Sequence, residues 1–131
     1  MRISNISNTS FKGYIRLYTS SPLETNTLPG DEKTLKALSG ELGNPYSKTI
    51  RNQGKKEYSF FDEDGIMLNT DNIKDIGYAG INYYIPKLNK TVFLAPCHDE
   101  FIYGNNYQNV ISAYAAAKNS DVTVDALTFK D

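Results

Sequence analysis

Four adjacent residues, Cys97-His98-Asp99-Glu100, combine a thiol, an imidazole and two carboxylates, the group types from which a nucleophile and its base are assembled. Cys97 is the only cysteine and His98 the only histidine among 131 residues. In the catalytic reading Cys97 attacks as a thiolate, and His98, Asp99 or Glu100 takes its proton or orients the base. The spacing works against this. Neighbouring strand residues point to opposite faces, and a cysteine and histidine that cooperate in catalysis normally meet across a fold. The bland alternative is a polar loop or helix start behind a strand. One thiol with one imidazole also falls short of a zinc site, and a lone cysteine leaves no internal disulfide, so neither a metal nor a cofactor is expected.

The acidic run Asp62-Glu63-Asp64 invites a calcium reading and fails its spacing. An EF-hand loop needs glycine at its sixth position and glutamate at its twelfth, whereas Gly65 follows the acids directly and the count from Asp62 reaches Asn72 or Ile73. Asp-Gly between two apolar runs reads instead as a hairpin turn. The basic cluster of Lys48, Arg51, Lys55 and Lys56 is a solvated edge in a chain whose fourteen basic and fifteen acidic residues leave a net charge of -1. Without a positive field a nucleic-acid partner is not expected.

Ten tyrosines, six phenylalanines and no tryptophan make up the aromatic content. Tyrosine suits half-buried sheet faces and binding surfaces alike, because it pairs a large apolar ring with a hydroxyl. Tyr83, Tyr84, Tyr103 and Tyr107 flank the Cys-His segment and are the candidate binding residues.

The elements that must position these groups follow from periodicity. Phe11, Ile15 and Leu17 alternate with charged residues and set Tyr14 and Tyr18 on the polar side, which predicts a strand with one buried face. Thr19 to Gly30 reads as a loop. Leu35, Leu38 and Leu42 recur at helical spacing behind Asp31 and Glu32, giving a short helix that ends by Gly43. Thr70-Asp71-Asn72 caps a single helical turn carrying Ile73 and Ile76. Ile81 to Ile85 pairs with Thr91 to Ala95 across Pro86-Lys87-Leu88-Asn89-Lys90. Behind an Asn105 or Asn106 cap, Tyr107, Val110, Ile111, Tyr114 and Ala117 or Lys118 form the stripe of the main helix. A last strand, Val122 to Phe129, returns beside Thr91 to Ala95 or adds to the sheet of a neighbouring protomer.

Together these predict an α+β fold: a mostly antiparallel twisted sheet of about five or six strands, one main helix packed on a face and one shorter helix. Residues 1–10 are a polar, flexible lead-in, and residues 11–131 a single domain whose 40% hydrophobic and 22% charged composition is that of ordinary globular proteins. The first residues lack the basic and apolar runs of a signal peptide, and no stretch approaches the roughly eighteen apolar residues of a membrane span, so a cytoplasmic protein without a membrane partner is expected. No catalytic set survives the spacing tests. The reading is therefore a binding or assembly module that holds a protein partner, itself or a small ligand through Tyr-rich strands or a sheet edge. Its alternative is a small cysteine-dependent hydrolase or transferase centred on Cys97-His98.

Overall fold

The computed structural model describes residues 13–25, 32–43, 46–50 and 56–128; for 46–50, 56–58, 97 and 98 it describes the backbone alone. The lead-in 1–10, Phe11 and the side chains of Lys48, Arg51, Lys55 and Lys56 lie outside the described residues, as do those of Cys97 and His98.

Alternation shapes the first strand, β1 (Tyr14–Thr19), whose residues Ile15, Leu17 and Thr19 are buried while Tyr14, Arg16 and Tyr18 stay partly exposed. There follow β2 (Leu23–Thr25), α1 (Glu32–Leu42), β3 (Tyr46–Ile50), β4 (Lys56–Phe60), β5 (Ile66–Asn69), a 3-10 turn (Thr70–Asn72) and β6 (Ile73–Ile76). The chain continues through β7 (Ile81–Ile85), a 3-10 turn (Pro86–Leu88), β8 (Lys90–Pro96), a 3-10 turn (Cys97–Ile102), α2 (Asn106–Ala117) and β9 (Thr123–Thr128). This is an α+β fold with mostly antiparallel pairing, as expected. Its strands are divided between two sheets, one ordered β9-β1-β5 and the other β3-β4-β2-β8-β7-β6.

The division corrects four local expectations. Asp62 to Gly65 does form a turn, with Gly65 N donating to Asp62 O at 3.0 Å and Asp64 N to Asp62 Oδ1 at 2.9 Å. It makes no hairpin, because β4 before it belongs to the six-stranded sheet and β5 after it to the three-stranded one. Turn chemistry bends a chain without deciding what the flanking strands pair with. The supposed loop Thr19 to Gly30 contains β2, which is short yet bridges β4 and β8. Thr70–Asn72 is itself the helical turn, opened by Asn69 Oδ1 accepting the Asp71 amide at 3.0 Å, and Ile73 and Ile76 sit on a strand. Lastly, β9 runs parallel to β1, with Thr123 opposite Tyr14 and Thr128 opposite Thr19, and does not return beside β8.

One cluster of buried side chains joins both sheets and both helices, from Ile15, Leu17, Ile66 and Leu68 through Leu35, Leu38 and Val110 to Phe60, Tyr83 and Leu94. Two glycines let the layers close. A Cβ on Gly13 would lie 1.7 Å from the Ala117 carbonyl oxygen, where the end of α2 presses on the start of β1. Gly80, at φ 157, would set a Cβ 2.4 Å from Leu94 O. A side chain at either place collides with backbone, which cannot yield as a side chain can.

Candidate functional site

The hairpin β7–β8 delivers the Cys97–Ile102 turn where the sequence places it. Asp99 takes φ 52, a left-handed conformation that an aspartate tolerates better than most residues. The twist separates the two carboxylates: Asp99 is exposed, and Glu100 is turned inward until 1% of it remains accessible. Both oxygens of Glu100 then accept bonds from the protein itself. Ser20 Oγ donates to Oε1 at 2.6 Å and Ser21 Oγ at 2.9 Å, while Thr128 Oγ1 at 2.6 Å and Ser20 N at 3.2 Å donate to Oε2. A buried carboxylate needs such donors to offset the loss of water. The turn thus anchors the corner where the chain leaves β1 and where β9 ends.

The four candidate tyrosines do not form one surface. Tyr83 is fully buried, and its hydroxyl accepts the Asn69 amide at 3.0 Å. Burial raises its pKa above the ordinary phenol value, the Asn69 bond opposing the shift. Tyr84 donates to Asn89 Oδ1 at 2.7 Å under the Lys74 ammonium, which lies 5.1 Å from its ring centre. Tyr107 packs on the exposed Tyr78, ring centres 4.3 Å apart, and donates to Ile76 O at 3.3 Å. Tyr103 is half-buried beside Gly104.

Two strand edges border α2, and each leaves a groove against it. On one side, Ile73, Lys74, Asp75 and Ile76 of β6 face Ile111 and Tyr114 across a cavity of about 250 Å³. On the other, Val124, Asp125, Ala126 and Leu127 of β9 face Asn109, Ser112, Ala113 and Ala116 across about 470 Å³. The small residues on this side of α2 widen the second groove.

Hydrogen-bond parity shows which backbone groups each edge offers. Tyr14 N donates to Val122 O at 2.9 Å, so Val122 turns toward β1. Alternate residues of a parallel strand do the same; hence Val124, Ala126 and Thr128 bond toward β1, and Thr123, Asp125 and Leu127 turn their amides and carbonyls away. An independent contact agrees, for Asn109 Nδ2 donates to the Leu127 carbonyl from α2 at 3.0 Å. Among the described residues no strand pairs with this outer side of β9. The β6 edge is shorter and its register breaks between Ile73 and Asp75, leaving Lys74 bulged. Gly77 and Gly80 exchange both backbone bonds, at 2.9 and 3.3 Å, so the Ile76 carbonyl points outward, and the Tyr107 hydroxyl occupies it.

The β9 edge also continues onto the open face of its sheet. Tyr14, Arg16 and Tyr18 of β1 stand there with Met67 of β5 and with Thr123, Asp125 and Leu127 of β9. Arg16 and Asp125 approach to 3.8 Å. A hydrogen bond to Tyr18, then the fields of Tyr18 and Asp125, hold the Arg16 guanidinium above its ordinary pKa. Leu127, 46% exposed, is the largest apolar side chain of the strand and lies in the open.

Sequence reasoning placed β9 beside Thr91 to Ala95 within the chain and raised its free edge only as pairing with a neighbouring protomer, so the groove against α2 went unread. The isolated Leu127 in an otherwise small or polar strand was the available signal. Among the described residues no three of His, Cys, Asp and Glu gather as metal ligands, and no helix is long and apolar enough to cross a membrane. No protein family, curated protein or solved structure matches the chain.

Proposed function

We propose that the protein is a non-catalytic binding module that takes an extended segment of a protein partner as an added strand along the outer edge of β9. The observation that carries this reading is the six-residue edge itself, regular throughout, with the backbone groups of Thr123, Asp125 and Leu127 directed outward beside the groove against α2. Strand addition draws affinity from such a ladder and specificity from pockets that receive alternate side chains. An incoming strand would direct every second side chain onto Ser112, Ala113 and Ala116, and the others over Leu127 and the sheet face. Asn109 already holds the Leu127 carbonyl, which sets one end of the ladder.

The cysteine-centred alternative receives less support. Glu100, one of its four residues, spends both carboxylate oxygens on Ser20, Ser21 and Thr128. Asp99 is exposed.

Selection of a displayed library of linear peptides against the purified protein, followed by amide chemical-shift mapping of the recovered peptides, tests the proposal. Shifts confined to 109–116 and 123–127 are expected. Recovery of no peptide, or shifts centred on β6, would contradict it, and sedimentation of the protein alone separates peptide binding from pairing between copies.

A further inference from the structure

We infer that Glu100 clasps both ends of the α2–β9 unit, and that residues 106–128 open as one piece when the clasp is released. The carbonyl of Glu100 accepts Asn106 Nδ2 at 2.9 Å, and Asn106 is the first residue of α2. Its carboxylate accepts Thr128 Oγ1 at 2.6 Å, and Thr128 is the last residue of β9. One residue outside the unit therefore bonds its beginning and its end. All three partners lie inside the protein, with Glu100 1%, Asn106 7% and Thr128 0% exposed. The same carboxylate is fixed from the other side by Ser20 and Ser21, on the connection from β1 to β2, so the clasp is anchored to the sheet that β9 must leave.

The middle of the unit is held differently. Val110, Ala113 and Ala126 enter the shared core, and β9 lies on β1 through its parallel ladder. Local opening in proteins proceeds in contiguous pieces that detach where few bonds cross their boundary. Here one side-chain bond at each boundary runs to Glu100, beside the Asn106 amide on Tyr103 O at 3.0 Å and a longer approach of the Thr128 hydroxyl to Tyr18 O at 3.2 Å. Once they break, β9 and α2 can lift together, uncovering the edge of β1 and the buried side of Ile15 and Leu17.

Native-state hydrogen exchange on the intact chain tests this, with no partner present, so its outcome is independent of whether the β9 edge binds anything. Thr128→Val removes the hydroxyl, and with it the longer approach to Tyr18 O at 3.2 Å, while leaving Glu100, Ser20 and Ser21 in place. The expected result is that the protected amides of 106–128, those of α2 with Val124, Ala126 and Thr128, exchange together, faster on the order of tenfold, as the loss of one buried bond to a charged group implies. Amides of β7 and β8 should keep wild-type rates, and Thr128→Ser should restore the slow exchange. Acceleration limited to the last residues of β9, acceleration spread equally over the whole chain, or no change in Thr128→Val would each overturn the inference. Glu100→Gln, which leaves Thr128 and its approach to Tyr18 O in place, should reproduce the Thr128→Val pattern; if that variant does not fold, Asn106→Ala, which opens the other end of the clasp, should give the same acceleration across the unit, and wild-type rates there would overturn the inference.

Discussion

The two strands that border α2 differ in how they treat their free edges. β6 has four residues, a register break at Lys74 and exposed charges at Lys74 and Asp75, while each of the two strands has one outward carbonyl held from α2, Ile76 O by Tyr107 and Leu127 O by Asn109. Short length, a bulge and a lysine are the devices by which sheets discourage edge-to-edge pairing. β9 has six residues in unbroken register, an exposed Leu127, and an acid whose charge is partly met by Arg16. The contrast teaches that an edge strand is informative when its guards are missing while a comparable edge in the same molecule carries them. Burial alone does not make the distinction, for both strands contribute residues to the core.

The largest effect should come from the contact that seats the β9 side of the molecule. Gly13→Ala drives a methyl into the Ala117 carbonyl and should cost at least about 3 kcal/mol, read from urea unfolding, since neither backbone can give way without shifting α2 off β1. Near-wild-type stability there would mean that α2 and β9 sit less tightly than described.

A proline pair comes next and probes parity directly. Val124→Pro deletes an amide directed at β1 and should cost about 2 kcal/mol or more, whereas Asp125→Pro deletes an outward amide and should cost roughly 1 kcal/mol or less. Thermal unfolding ranks them, and the opposite ranking would reverse the assignment of the outer edge. Asp125→Pro should at the same time abolish capture of selected peptides.

On the β6 side, Tyr83 braces the neighbouring strand opposite Ile73. Because its pKa is raised on folding, the unfolded chain ionises first. The stability associated with the neutral phenol is fully present below a pH of about 10 and is lost as pH rises from there toward the folded value. Tyr83→Phe should remove that alkaline decline and cost about 1 kcal/mol at neutral pH by stranding the Asn69 amide. An unchanged alkaline limb in the variant would assign the decline to other groups.

The smallest effects concern surface side chains. Leu127→Lys should weaken a selected peptide by about 1 kcal/mol, through one cross-strand contact, and Lys74→Thr should leave the same titration unchanged. A loss at Lys74 equal to that at Leu127 would erase the functional difference between the edges.

How far the sequence could be read depended on whether the deciding interaction was local. The β7–β8 hairpin, α1 and α2 announced themselves through alternation, leucine spacing and alanine content, and each formed. Even so, the buried stripe of α2 runs through Asn106, Val110, Ala113 and Ala117, with Tyr107 and Tyr114 only partly covered, because the close seat at Gly13 favours small side chains on that face. Which sheet a strand joins was not legible. The turn at Asp62 to Gly65 has hairpin chemistry whether or not β4 and β5 pair, and the partner of β9 lies more than a hundred residues earlier in the chain. Glu100 was equally hidden: its donors are hydroxyls at Ser20, Ser21 and Thr128, residue types found on any surface, and nothing in their order ties them to one carboxylate.

Residue-resolved amide exchange along β9, free and with a selected peptide, tests the outer edge most directly. In the free protein the amides of Val124, Ala126 and Thr128 should be protected while those of Thr123, Asp125 and Leu127 exchange freely; bound peptide should then slow Asp125 and Leu127. Protection of Asp125 and Leu127 in the free monomer, or peptide binding that leaves both amides fast, would contradict the account.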